Sequence, residues 1–471
     1  MGLRESLADY FEFESHDTDL GTEILAGITT FLTMSYIIVV NPAVMTDQPG
    51  DDGFPDGIAL QGYPPGEVEQ MLAVVTILAS AVAIFVMAFY ANRPFGQAPG
   101  LGLNAFFAFT VVGAMGIPWE TALAAVVTEG VLFIVLTAVG AREYVIRLFP
   151  EPVKFSVGTG IGLFLAFIGL EAMQVVVADP TTLVTLGDLA SDPVAVLSVL
   201  GLFLTLALYA NGIRGSIVLG ILATTAAGWA LTIGGVVSEG VLAPAELQGA
   251  QYDITPLAGA FVQGFQNAEA FSFALIVFTF FFVDFFDTAG TLVGVGQAGD
   301  FLDEGGNMPD IDEPLMADAV GTTAGGILGT STVTTYIESA TGIEEGGRTG
   351  MTALVVGLLF LASLAIVPFV AAIPQYASHI ALVVVAIIML GNVTDIQWDD
   401  VTHAVPAGMT IIIMPLTFSI AYGIAAGIIS YPVVKAATGE ARDVSLGQWA
   451  LAGAFVVYFF VRTSGILTGT V

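Results

Sequence analysis

The sequence predicts an all-α polytopic membrane protein of about fourteen transmembrane elements, in two halves of seven that are inverted relative to each other. Three observations predict it. Of 471 residues, 56% are hydrophobic and only 11% charged, with a mean hydropathy of +0.87; a water-soluble domain of this size needs more charge on its surface. Apolar stretches long enough to cross a hydrocarbon layer recur along the whole chain. The few basic residues fall at alternate ends of those stretches, as one orientation requires.

Taken in order, the spans read as 24–44, 71–90, 100–115, 120–139, 158–178, 194–210, 215–235, 270–296, 315–330, 352–372 and 378–392. At about 1.5 Å per residue these cross a layer about 30 Å thick, with thinning around the shortest. Continuous runs of this length exclude a barrel, whose strands alternate every second residue. Ser331–Gly350 is too polar for an ordinary span and holds a short piece at 336–341, counted as one element. The region 404–434 is too long for one crossing and carries Pro415 near its middle, which predicts two short spans broken at the proline. Leu446–Val461 either crosses or lies along the membrane. With the N-terminus and Arg4 cytoplasmic, Arg93, Arg142, Arg147, Lys154, Arg214, Arg348, Lys435 and Arg442 all fall inside, whereas the reverse orientation puts nearly all of them outside. The polar, acidic first 20 residues carry no cleavable signal, so the first span is expected to stay as an anchor.

The 42 acidic residues against 10 basic ones give a net charge of -32, concentrated in loops. One loop holds Asp47, Asp51, Asp52, Asp56, Glu67 and Glu69, and another Asp300, Asp303, Glu304, Asp310, Asp312 and Glu313. Such repulsion is tolerable where salt shortens the screening length to about 3 Å at 1 M, which points to a halophilic source. A loop that gathers cationic substrate ranks lower, because the acids are spread over many loops. The absence of cysteine excludes disulfides and thiolate chemistry, and the absence of a basic patch argues against nucleic acid. His16, His379 and His403 are too scattered for a metal site, and no cofactor motif is present. Gly346–Gly350 lacks the lysine and the strand–loop–helix setting of a phosphate loop and reads as a cytoplasmic turn.

Two elements are interrupted. Pro99, Gly100 and Gly102 disfavour a continuous helix and predict an extended segment before a helix that begins around Asn104, for which a plain N-cap role is the structural reading. Thr332, Thr334 and Thr335 favour a second extended segment before a short helix carrying Glu338. Two such segments can pair at mid-membrane, with free helix N–H groups at the edge, because unpaired backbone is tolerated there only inside protein or along a cavity. The two halves also share a weak local likeness around Glu120–Leu123 and Met351–Leu354.

Between Phe281 and Thr291 the polar residues Asp284, Asp287, Thr288 and Thr291 share one helical face, and Phe281, Phe282, Phe285, Phe286 and Leu292 cover most of the rest. A buried carboxylate without partners is costly, so this face should look into a cavity. Asp284 and Glu338 form the leading substrate pair. Asp287 has two readings, a brace for a neighbouring helix and a proton-coupling group. Phe106, Phe107, Tyr336, Phe281 and Phe285 offer rings for a flat molecule whose N–H edge the carboxylates accept, a combination that fits a nucleobase. Glu23 and Glu129 rank lower, Glu129 as a core brace or part of a proton route. Gly158, Gly160, Gly162, Gly423 and Gly427 read as close helix packing.

At these residues the chain resembles the AzgA-type adenine/guanine/hypoxanthine permeases of the nucleobase/ascorbate transporter superfamily. The matching stretches are GITTFLTMSYIIVVNPAVM at 27–45, APGLGLNAFFAFTVV at 98–112, FFVDFFDTAGTLVGV at 281–295, GTSTVTTYIESATGIEEGGRTG at 329–350 and WDDVTHAVPAGMTIIIMPLTFSIAYGIAAG at 398–427. The acidic loops depart from common bacterial members and give it the look of a haloarchaeal one. The resemblance implies a seven-plus-seven inverted repeat with short antiparallel strands in the third and tenth elements, and a core domain moving against a gate domain. On that division, 1–20 is a cytoplasmic segment, 21–178 and 270–392 form the core, 179–269 is the first part of the gate with an extracellular acidic loop, and 393–471 is its second part with the C-terminal segment. The implied activity is proton-coupled purine uptake across the cell membrane, with sodium the less favoured coupling ion and a homodimer by analogy. The implied site carries Asp284, Glu338 and Asn104, to which the residue pattern adds Phe107, Thr288 and Tyr336; Glu338, Asp284 and Asp287 are the proton-coupling candidates. The histidine of some uracil members has Thr288 at the corresponding place, which counts against uracil.

The alternatives within this architecture are a xanthine or uracil permease and an anion transporter, which should favour a positive group at its site. A membrane enzyme needs a convergent nucleophile and base or a metal cluster, for which the scattered histidines give little support. A channel is disfavoured by broken half-helices around a compact central site.

Overall fold

Several helices here start where a proline or a capping side chain stands, as at Asp19, Pro65, Asp192 and Ser419, and some stop at a left-handed residue, as at Asn92 and Gly329. In a computed structural model, residues 3–47, 57–140, 149–245, 249–268, 270–299, 301–302 and 308–463 are described. The loop acids Asp51, Asp52, Asp56, Asp300, Asp303 and Glu304 and the arginines Arg142 and Arg147 lie outside the described residues, as do the side chains of Arg4, Phe286 and Arg462.

Helix α1 spans Leu3–Tyr10, and α2, Leu20–Met34, starts at Asp19, whose carboxylate accepts from the N–H groups of Gly21 and Thr22. The first span continues as α3, Ile37–Met45, after a joint at Ser35 and Tyr36. Helix α4, Pro65–Val86, widens into a π-helical turn at Met87–Ala91, which Asn92 ends at φ 47°. Strand β1, Gln97–Pro99, leads into α5, Leu101–Ala105, and a π-helical stretch to Ala114. There follow α6 (Trp119–Ala138), α7 (Glu151–Ala172), the hairpin of β2 (Val176–Asp179) and β3 (Leu183–Leu186), α8 (Pro193–Ala210), α9 (Ser216–Ile233), α10 (Phe261–Asn267), α11 (Ala270–Ala298) and α12 (Asp312–Leu328). Strand β4 (Val333–Thr335) precedes α13 (Ser339–Glu344) and α14 (Gly350–Ala362), the latter continued as 3-10 helix to Ala372. The chain ends through α15 (Gln375–Ser378), α16 (Ile380–Met389), α17 (Val401–Leu416), α18 (Ile420–Ala437) and α19 (Leu446–Thr463).

Among the described residues ten helices are long and apolar enough to cross a membrane, and Leu101–Ala114, Val401–Leu416 and Leu446–Val457 are shorter apolar helices. Several expected boundaries move, two of them for a clear local reason. The span expected at 158–178 runs instead over Glu151–Ala172, since Pro152 suits a first helical turn and Gln174, at φ 56°, cannot continue the helix. The break expected at Pro415 falls at Phe418, φ 51°, with Ser419 capping α18; Pro415 sits in the last turn of α17.

By compactness the chain forms two units, one of residues 1–137 and 167–384 and one of 138–166 and 385–471. In the second, α17 and α18 pack at the glycines: a Cβ at Gly423 would stand 2.6 Å from Thr410 O and one at Gly427 3.1 Å from Pro406 O. In the first, Glu23 is fully buried in α2 and its carboxylate accepts from Arg348 N (2.9 Å), Thr352 N (3.1 Å) and the Thr352 hydroxyl (2.6 Å). This ties the turn at 345–349, with Gly346 at φ 98°, to the first span.

Candidate functional site

Strands β1 and β4 pair antiparallel in the register Gln97↔Thr335, Ala98↔Thr334 and Pro99↔Val333, and every residue of both is buried. The ladder is extended by Gly100 N to Thr332 O and Tyr336 N to Gly96 O, each 3.0 Å. Two short extended segments from distant parts of the chain thus satisfy each other's backbone where no water would. The Thr322 hydroxyl donates to Val333 O (2.9 Å) and the Tyr336 hydroxyl to Pro99 O (2.6 Å), fixing both strands to their surroundings. The Gln97 amide nitrogen reaches Ala83 O at 3.0 Å and its oxygen accepts from the Thr335 hydroxyl at 3.2 Å.

Helix α5 begins at Leu101, three residues before the expected start, with Gly100 in the N-cap position. Asn104 is therefore inside the helix, and the N-cap reading for it does not hold. Its side chain is fully buried, its oxygen accepts a short hydrogen bond from the Ser331 hydroxyl, and its amide nitrogen has no partner among the described residues. Phe107, three residues on, is also fully buried, with its ring 6.4 Å from that of Phe280.

The α11 face divides. Thr288 is fully buried and bonds to Asp318 Oδ2 (3.0 Å) and to the Thr334 hydroxyl (2.6 Å), which joins α11 to α12 and β4. Asp284 is fully buried, and no donor among the described residues reaches either carboxyl oxygen. Its charged neighbours are Glu129 of α6 and, next, Asp287. Asp287 is half-buried, with its Oδ2 3.8 Å from where a Cβ at Gly100 would stand, at the start of α5. A carboxylate near the start of a helix is favoured by its free N–H groups, and the acid next to Asp287 is Glu338.

Glu338 is half-buried just ahead of α13, and the Tyr36 hydroxyl donates to its Oε1 at 2.7 Å. The rings of Tyr36 and Tyr336 lie 6.5 Å apart beside it. Asp287 therefore stands between Asp284 and Glu338. The candidates gather in one unit but not in one open cleft: Asn104, Phe107, Asp284 and Thr288 have no exposed surface, while Asp287 and Glu338 do. A separate cleft of about 610 Å³, lined among others by Glu69, Gln174, Asp192, Gln375 and Tyr376, holds none of them.

Two residues escaped the sequence reading. Tyr36 gave no signal beyond its place in an apolar run, although a lone phenol there is itself a hint. Asp318, fully buried in α12, stood in a stretch read only as a span, where a carboxylate should have prompted a search for a partner. The centre thus holds Glu129, Asp284, Asp287, Asp318 and Glu338. The described arginine side chains of the same unit are occupied elsewhere: Arg93 with Pro309 O and the Phe301 ring, Arg214 with Glu345, and Arg348 with Ile343 O and Gly347 O. The described residues contain no cluster of metal-ligating side chains.

A multi-pass α-helical protein whose two broken segments pair beside buried acids is a membrane transporter of the core-and-gate fold class. The model of the Permease family, the xanthine/uracil permease group, matches residues 21–426, and the chain belongs to that family. It is similar to the adenine permease AdeQ of Escherichia coli, 38% identical over 96% of this chain and 96% of its own. It is also similar to the guanine/hypoxanthine permease PbuO of Bacillus subtilis, 39% identical over 96% of this chain and 99% of its own. Among solved structures, the transmembrane domain of a cyanobacterium bicarbonate transporter, BicA, shares the fold with a TM-score of 0.58 at 15% identity, covering 86% of this chain and 97% of that one.

Proposed function

We propose that the protein imports purine nucleobases by proton symport and alternating access. The observation that carries this reading is a buried centre of carboxyl groups, with the described arginines of its unit engaged elsewhere. Such a centre accepts hydrogen bonds from a neutral, N–H-rich ring and repels an anion. The names of the relatives, which are adenine and guanine/hypoxanthine permeases, support the same substrate class. In this mechanism the half-buried Glu338, oriented by Tyr36, makes the first contact with the N–H edge of the purine, and the Tyr336 ring lies against its face. Asp284, Asn104, Thr288 and Phe107 complete the site as it opens, and proton loading of Glu338, Asp284 or Asp287 offsets the cost of buried charge.

The chain would cross in fourteen elements, seven plus seven inverted, with the N-terminus cytoplasmic as the basic residues favour. Segments 21–178 and 270–392 would move as the core against a gate of 179–269 and 393–471, and the gate would also carry a homodimer contact. A xanthine or uracil permease is the second reading, favoured by the family description. The test is competitive purine uptake into proteoliposomes at high salt across a range of pH, with Asp284→Asn and Glu338→Gln beside the parent. Adenine, guanine and hypoxanthine are expected to compete, and both variants to lose uptake. Normal transport by both variants overturns the site, and accumulation driven by sodium alone overturns the proton coupling.

A further inference from the structure

Glu129 has no part in the proposed purine contacts, yet it lies at a junction of three helices. Phe133, one turn further along α6, packs its ring 5.8 Å from both Phe281 and Phe285, the two rings that flank Asp284 on α11. A Cβ at the adjacent Gly130 would stand 2.7 Å from the backbone nitrogen of Thr323, so α12 approaches α6 at the same level. These contacts bring the carboxyl groups of Glu129 and Asp284 within hydrogen-bond reach of each other. Both side chains are fully buried, and none of their four oxygens has a donor among the described residues.

We propose that Glu129 and Asp284 share one proton across this contact, which makes Glu129 the residue that sets the charge of the acid in the purine site. Two ionised carboxylates in contact are acceptors only and repel, the more so away from water. One proton between them turns the contact into a charge-assisted O–H···O hydrogen bond. The groups that face the pair cannot replace that proton. Asp287 on α11 and Asp318 on α12 are themselves carboxyls, and the Thr288 hydroxyl, which lies beside Asp284, bonds to Asp318 and Thr334. Glu338 and Tyr36 lie beyond Asp287 and bond to each other.

With one proton the pair carries a single negative charge. Gaining a second proton from outside neutralises it, and losing that proton inside restores the starting state, so the two acids titrate as one unit. The transport part of this inference rests on the proposed purine symport; the shared proton does not. Glu129→Gln places a permanent amide donor against Asp284 and removes the proton without removing the hydrogen bond.

The experiment compares parent and Glu129→Gln in proteoliposomes, measuring purine accumulation driven by an imposed proton gradient, purine exchange at equal pH on both sides, and the infrared carbonyl band of protonated carboxylic acids. The expected result is loss of gradient-driven accumulation relative to exchange, a flattened pH profile, and loss of part of the carboxylic acid band. A variant that keeps the parent's gradient dependence and band overturns the proposal and leaves purine transport standing. A parent that moves no purine overturns the transport reading, while the infrared comparison still decides the shared proton. If Glu129→Gln does not fold, Asp284→Asn must remove the same band, and its persistence there overturns the shared proton.

Discussion

The clamp between Glu23 and the 348–352 backbone gives the firmest energetic prediction. Glu23→Ala removes the acceptor of short bonds from the Thr352 hydroxyl (2.6 Å) and Arg348 N (2.9 Å) and of longer ones from Thr352 N (3.1 Å) and Thr349 N (3.4 Å). A hydrogen bond to a charged group contributes about 1.5–3 kcal/mol net, and these donors compete for one carboxylate, so their sum overstates the loss. The substitution leaves no charge behind but leaves buried donors unpaired, at about 1–3 kcal/mol each, and the half-buried Arg348 lets water return to part of the gap, which gives a loss of about 3 kcal/mol. Since about 1.4 kcal/mol is a factor of ten, amide hydrogen exchange at Arg348, Thr349 and Thr352 should speed up by about two orders of magnitude. The same turn follows α13, which carries Glu338 at its start, so purine affinity should fall along with the protection. Unchanged exchange at those amides in a folded Glu23→Ala protein refutes the reasoning, because it means that the carboxylate does not hold the turn.

Tyr36→Phe deletes the 2.7 Å bond to Glu338 and should raise the KM for purine uptake by about tenfold or more, since a hydrogen bond to a charged group contributes about 1.5–3 kcal/mol; uptake kinetics at matched expression check it, and an unchanged KM counts against Tyr36 as the group that orients Glu338. Asp400, the N-cap of α17, is held below the usual carboxylate range by the Thr402 hydroxyl and then by the Thr402 backbone N–H. Because its folded-state value is depressed, its contribution is present above the ordinary aspartate range of about 4 and is lost as pH falls through the lower folded-state value. Exchange at Thr402, corrected for the intrinsic pH dependence, should accelerate over that fall in the parent and show no such transition in Asp400→Asn.

Several features of the site were legible along the chain because their physics is local. Proline and glycine at 99–102 and the threonines at 332–335 interrupt helices wherever they stand, and the extended segments are found there as β1 and β4. The Asp284, Asp287, Thr288 face follows from 3.6 residues per turn. The helix start expected around Asn104 falls too late because a start depends on what precedes it, and Gly100 sets it three residues earlier once β1 is pinned by β4. Phe107 is expected from the sequence to offer a ring to a flat molecule, and only the fold shows that the Phe280 ring from α11 packs near it.

Hydropathy alone determined that this chain lives in a membrane, since water cannot solvate so much apolar surface and a bilayer core can. The helical period alone determined that Asp284 and Asp287 share a face. Only tertiary structure decided their partners: Tyr36 meets Glu338 across 302 positions, Ser331 meets Asn104 across 227, and Thr288 meets Asp318 across 30. A residue's neighbours within its own helix follow from the repeat of the backbone, whereas its neighbours on another helix depend on how every intervening segment packs.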